Sequence, residues 1–250
     1  MPRPDTAAAL ARGTAAGPAE QSVPAAASGP LAGVRVVELA GIGPGPYASM
    51  MLGDLGAEVI RVERPGSVPA AQQDPTLRNR RSLALDLKNP AAVDVLLRLV
   101  ERCDVLIEGY RPGVAERLGL GPDVCLRRNP RLVFGRITGW GQTGPLSPRA
   151  GHDINYIALS GLLHQVGPRG GKPVPPLNVV GDYGGGGLLL AFGVVCALLE
   201  RGRSGRGQVV DAAMVDGAVS FLAATIGLRG MGLWRDAPGA NFLTGAAHYY

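Results

Sequence analysis

Three side chains stand where proton chemistry is possible. The stretch AGHDINYIALSG, residues 150–161, sets His152 beside Asp153, just after Gly151 and just ahead of an amphipathic run. The stretch NVVGDYGGGG sets Asp182 ahead of four glycines. A histidine and a carboxylic acid facing one carbon can take a proton from one side and return it on the other. The demanding case is a proton α to a carbonyl, because the enolate oxygen must be held by positioned donors. Amide groups at a helix start suit that task. The alternative for both residues is plain helix capping, common for aspartate and uncommon for histidine.

Gly184 to Gly187 weigh toward the chemical role. Each costs up to about 1 kcal/mol against alanine in a helix, so the run is expected to mark a backbone that a substrate approaches closely. A helix start, however, favours the ionised carboxylate, whereas one direction of the reaction needs neutral Asp182. Burial or a nearby carboxylate would have to raise its pKa.

Such residues need a scaffold, and the hydrophobic pattern supplies one. Val34 to Leu39 reads as a buried strand. GPGPYASMMLGDLGA reads as a helix with Pro46 at its first position. EVIRVE, 58–63, is a second strand, and strand, helix, strand at this spacing predicts a parallel sheet. SLALDL (82–87), DVLIEG (104–109) and RLVFGRIT (131–138) continue as strands, and Asn89–Pro90 opens a helix to about Arg102. INYIALSGLLHQV is helical, and Gly181–Asp182 opens a long apolar helix to about Arg201. GQVVDAA is a strand, followed by a helix over 212–228 with Met214, Val215, Ala218, Val219, Leu222 and Ile226 on a broad apolar surface. The longest apolar run, LLLAFGVVCALL, is shorter than the roughly 20 residues a bilayer needs, so no membrane is expected.

The organisation is then an Ala/Pro-rich, disordered extension over 1–30, an α/β domain with a parallel sheet over 31–229, and a loop-like tail over 230–250. The first turn, GIGPGP, has Pro46 where the dinucleotide fingerprint needs glycine, which counts against NAD. Cations gather at strand ends instead. Arg64 follows the second strand, Lys88 follows LALDL, and Arg111 lies in EGYRPG, with Arg78, Arg80, Arg81 and Arg117 in the same region. Open α/β sheets bind ligands beyond their carboxyl ends. The set suits a ligand with more than one phosphate, while any single arginine fits a solvated face equally well.

The net charge is +5, and Lys88 and Lys172 are the only lysines. No basic block interleaves with aromatics, which counts against nucleic acid. Cys103, Cys125 and Cys196 are odd in number and lack zinc spacing, as expected of free thiols in a reducing cytoplasm.

LAGVRVVELAGIGPGPYASMMLGDLGAEVIRVERPG, RNRRSLALDLK, DVLIEGYRPGVAERLGLG, TGWGQTGP, AGHDINYIALSG, PPLNVVGDYGGGG and GRGQVVDAAMVDG together resemble the family III CoA-transferases, the CaiB/BaiF group, and within it the α-methylacyl-CoA racemase branch. The resemblance runs from about Leu31 to Tyr250. It implies a Rossmann-like large domain, a smaller second domain largely absent from this chain, and a homodimer of interlocked chains. It implies inversion at C2 of a 2-methylacyl-CoA thioester, with no cofactor beyond the CoA moiety of the substrate. His152 and Asp182 match the proton-transfer pair. Arg64, the stretch Leu85, Asp86, Leu87, Lys88, the stretch Gly109, Tyr110, Arg111, and Arg117 match CoA-contacting positions. Gly151, Ile154, Asn155 and Tyr156 match the segment along the thioester.

Asp153 matches the residue that becomes acylated in the transferase branch, so transfer of CoA between carboxylic acids is the alternative. A fragment that only binds CoA or a partner is the third. Family members continue for about another hundred residues beyond the point matching Tyr250, so residues 230–250 are expected to lead toward a second domain.

Overall fold

The computed structural model describes residues 28–67 and 74–249. The extension read over 1–30 therefore lies almost wholly outside the described residues.

The first strand, β1 (Arg35–Leu39), is buried from its second residue on. It leads through Gly43, whose φ of 68° favours glycine, into α1 (Pro44–Asp54). The helix thus starts two residues before Pro46, with both prolines in its first turn, where a missing amide costs nothing. Then follow β2 (Glu58–Glu63), a short 3₁₀ turn over Pro75–Leu77, and β3 (Arg80–Ala84). Asn89 caps α2 (Pro90–Val100) by accepting from the Ala91 amide. Next come β4 (Val105–Glu108), α3 (Val114–Arg117), α4 (Pro122–Arg128) and β5 (Val133–Thr138). β4 and β5 are buried along their whole lengths, as parallel strands covered on both faces must be.

All six strands, with β6 (Gln208–Ala213), form one parallel sheet in the order β3-β2-β1-β4-β5-β6. Apolar clusters lie on its two sides. One joins α1 and the long helix α7 (Leu189–Ser204) to β1, β4 and β5; the other joins α2 and α4 to the same strands.

Three boundaries differ from the sequence pattern. β3 begins two residues before SLALDL, because Arg80 is anchored in the sheet on Glu38, and Leu85 and Leu87 leave it to pack on the α2 side. INYIALSGLLHQV breaks at Gly161, φ 85°, into α5 (Asp153–Leu159) and α6 (Leu162–Gln165). The segment after β6 divides into α8 (Met214–Ser220) and α9 (Ala223–Gly230).

The apolar helix starts at Val179, not Gly181. It runs as π-helical turns to Leu188 before continuing as α7. The bond from the Tyr183 amide to the Asn178 carbonyl has the five-residue spacing of a π turn. Together Val179–Ser204 make 26 helical residues, long and apolar enough to cross a bilayer by length and composition, which the twelve-residue run alone did not show. Leu190, Ala191, Val194 and Ala197 pack on the sheet beside Val36, Val105 and Val133, the position of a core helix.

Candidate active site

In this strand order the winding across the sheet reverses between the parallel neighbours β1 and β4, and the loops after those two strands part there. That point is where open α/β sheets hold ligands. A groove opens at it with two lobes of about 900 and about 940 Å³, which share residues 40–43, Pro46, Tyr110 and Tyr183. Tyr183, from the π turns, stacks on Tyr47 of α1 with ring centroids 4.9 Å apart.

The first lobe carries Arg61, Arg64 and Lys88 among the carboxylates of Glu63, Asp74 and Asp86. Arg64, Leu85, Asp86, Leu87, Lys88 and Tyr110 line it. Gly109 and Arg111, grouped with them on sequence, line the second lobe instead. Arg117 lines neither: it is exposed on α3, with its guanidinium folded back toward Gly113. The other arginines of the region are engaged. Arg80 is buried and bonds Glu38 at 2.6 Å and the carbonyls of Pro46 and Thr76. Arg78 pairs with Asp54, and Arg81 with Glu58 at 3.1 Å. Arg61 joins Glu38 and Glu63 and donates to the Gly41 carbonyl, which holds the loop shared by both lobes.

The second lobe brings together His152, Asp153 and Asp182. His152 sits at the N-cap position of α5 with an exposed imidazole and in a capping box with Asn155, whereas Asp182 lies inside the π turns and caps no helix. Simple capping is thereby set aside for Asp182 alone. Asn155 is exposed, lies outside the lobe, and accepts the His152 amide at 2.9 Å. Ile154 and Tyr156 line the lobe, and Gly151 leaves room for the Tyr156 ring, which meets Trp140 edge-on at 4.7 Å. Burial pushes the Tyr156 hydroxyl up to about 12, which keeps it a neutral donor.

Asp153 is only 4% exposed. Its Oδ2 accepts the amides of Gly181 and Asp182 at 2.5 and 2.8 Å. The Gly181 and Asp182 amides, read from sequence as a helix start, are thus occupied by Asp153 and are not open to an enolate oxygen. Asp153 Oδ1 is buried with no protein partner.

Asp182 is half-buried, and Asn178 Nδ2 donates to its Oδ2 at 3.3 Å. Burial holds its carboxyl above the usual carboxylate range, and the Asp153 charge adds to this; the Asn178 bond and the charge of His152 oppose it. The required rise of Asp182 therefore has both of the physical causes expected for it.

The glycine run has a different purpose from the one its cost suggested. A Cβ on Gly185 would lie 2.9 Å from the Ala218 amide, and one on Gly217 would lie 2.0 Å from the Gly185 carbonyl. A Cβ on Gly187 would lie 2.7 Å from the Pro44 carbonyl. Backbone meets backbone here, so the run serves protein packing against α8 and α1, not approach by a substrate. Gly181 is small for a similar reason: a Cβ there would lie 2.7 Å from Asp153 Oδ2.

The match to the family model described as CoA-transferase family III covers residues 31–239. The chain belongs to this family. It is 52% identical to mouse "Alpha-methylacyl-CoA racemase" over 223 residues, which span 88% of this chain and 57% of that protein. It is 39% identical to mouse "Succinyl-CoA:glutarate CoA-transferase" over 84% of this chain and 52% of that protein. A solved structure titled as a CAIB/BAIF family protein from Brucella suis superposes with a TM-score of 0.75 at 30% identity, over 83% of this chain and 59% of that one. The chain thus spans little more than half the length of these relatives.

Within this family III domain, sequence reasoning missed Asn178, Tyr183, Trp140 and the Arg61–Glu38 pair. Asn178 had a readable signal, since it precedes Asp182 by four residues, one helical turn. Trp140 and the ion pair meet their partners only through tertiary packing.

Proposed function

We propose that this chain carries the CoA-binding and proton-transferring part of a racemase that inverts C2 of 2-methylacyl-CoA thioesters. The observation that carries it is the second lobe, which holds His152 and a half-buried Asp182 with a raised carboxyl, beside the first lobe, which Arg64 and Lys88 line. In one direction neutral His152 takes the C2 proton and protonated Asp182 returns one to the opposite face of the enolate. In the other direction the Asp182 carboxylate takes the proton and the imidazolium returns it. The step moves protons and no net electrons, so it calls for no redox cofactor, and none beyond the CoA moiety is proposed. Arg64, Lys88 and the 85–88 backbone would hold the nucleotide end of CoA, with the acyl chain in the second lobe. A homodimer of interlocked chains in a reducing cytoplasm completes the proposal. The cysteines fit that compartment: burial pushes Cys103 and Cys125 up to about 12, where the thiols are inert.

The test is a single epimer of a 2-methylacyl-CoA in heavy water. Deuterium at C2 with loss of configuration is expected. Acyl transfer to a free acid without C2 exchange would sink the proposal.

One observation favours the transferase alternative: Asp153 Oδ1 lacks a partner and Asp153 lines the lobe. Asp153→Asn separates the two. The amide oxygen can still accept the Gly181 and Asp182 amides, so the geometry survives. A racemase keeps C2 exchange, and the Asp182 pKa falls because the charge that helped raise it has gone. The corresponding limb of the pH–rate profile then moves to lower pH. A transferase loses turnover, and the unmutated protein yields an acyl adduct on Asp153.

A further inference from the structure

Glu108 ends β4, and the proton transfer described above makes no use of it. Its side chain is fully buried. Oε2 accepts the Tyr110 amide at 2.7 Å, and Oε1 accepts from Arg136 Nε at 3.2 Å. Arg136 stands opposite Glu108 in the β4–β5 register, and its other end donates to Glu116 of α3 at 3.0 Å. On its far side, Asp211 of β6 stands opposite Arg136. One buried guanidinium is therefore surrounded by carboxylates from β4, α3 and β6.

A buried ion pair seldom outperforms a well-packed apolar pair in stability. What this one provides is position. Its contacts fall at the two ends of one segment: the Tyr110 amide at the start and the Glu116 side chain at the end. Between them run Tyr110, which lines both lobes of the groove, and Arg111, which lines the second.

We propose that Glu108 and Arg136 are positioning residues, which clamp residues 109–116 so that Tyr110 and Arg111 fix the span between the nucleotide end and the thioester end of a bound acyl-CoA. This rests on the acyl-CoA proposal above. The clamp responds to pH. Burial pushes Glu108 up to about 7, with Glu116 adding to the rise and the Tyr110 amide and Arg136 opposing it. Below that value Glu108 loses its charge, Arg136 keeps only Glu116 and Asp211 as facing anions, and the segment loosens.

The test uses Glu108→Gln, which keeps the shape and removes the charge. Hydrogen–deuterium exchange on the ligand-free chain should show the Tyr110 amide exchanging about tenfold faster, with residues 40–43 unchanged. CoA affinity by calorimetry should fall about fivefold at about pH 8, and the two proteins should converge by about pH 6. The phosphates of CoA titrate in the same window, but equally for both proteins, so the ratio isolates Glu108. Unchanged exchange at 109–116, or an affinity ratio that does not vary with pH, overturns the proposal. Should Glu108→Gln fail to fold, Glu116→Gln on the exposed side of the clamp takes its place. About a two- to threefold weaker CoA binding at about pH 8 is then expected, and no change overturns the proposal. If the unmutated chain binds no CoA while Glu108→Gln still loosens 109–116, the acyl-CoA proposal falls and the clamp is upheld. If it binds CoA and exchanges C2 while the variant's segment stays protected, the clamp alone falls.

Discussion

The two lobes of the groove are built by different means. The first lobe is assembled mainly from strand ends and the loops that follow them, with Arg64 after β2 and Lys88 after β3 as exposed, flexible side chains. The second lobe adds to the ends of β1, β4 and β5 segments far apart in the chain: Ser147 to Tyr156, Leu177 to Tyr183, and Met214. Glycine backbones in direct contact hold it, together with a buried carboxylate bonded to two amides. A site that only recognises charge can sit on adaptable side chains. A site that passes a proton between two groups must hold both against a stiff frame.

The sharpest way to break this comparison is to disable one lobe and leave the other. His152→Ala or Asp182→Asn should lower C2 exchange by about 10²–10⁴-fold, the usual share of a general acid or base. CoA affinity measured by calorimetry should stay the same. A parallel loss of CoA binding would mean that the lobes are not separate in function.

Next in size is the frame. Gly217→Ala places a methyl group against the Gly185 carbonyl. It should cost about 3 kcal/mol and lower the melting temperature by about 6–12 °C. A melting curve that does not move would show that α8 and the π turns yield easily.

Smaller effects belong to the first lobe. Arg64→Ala and Lys88→Ala should each weaken CoA binding by about three- to tenfold, with the difference shrinking at high salt because the side chains are exposed. Arg117→Ala should do nothing measurable to CoA affinity, since Arg117 lines neither lobe. A loss comparable to that of Arg64→Ala would place Arg117 back in the binding set.

The same contrast explains what could be read from the chain. Strand ends carry their own pattern, so β1, β2 and the cationic loops were legible from apolar runs and the residues after them. His152, Asp153 and Asp182 were legible because their types and neighbours are unusual. The start of β3 was not, since Arg80 pairs with Val59 of β2 and has its guanidinium held by Glu38 of β1, neither of which shows in the local pattern. The glycine run was visible but its purpose was not: a cost to the helix is local, whereas the backbone it touches lies some thirty residues away at Gly217. Nor does periodicity distinguish π turns from α turns over ten residues, because the two differ in which carbonyl each amide chooses.

The contact between Gly185 and Gly217 also decides how the second lobe, the proposed acyl pocket, can change. Neither glycine lines it, yet a Cβ on either would drive backbone against backbone, so the spacing between the π turns and α8 is fixed. The lobe therefore changes size through the side chains that reach it, Tyr183 and Met214 from these two elements and Ser147, Arg149, Ile154 and Leu177 from the segments around them. Variation in substrate range is expected to concentrate in those side chains.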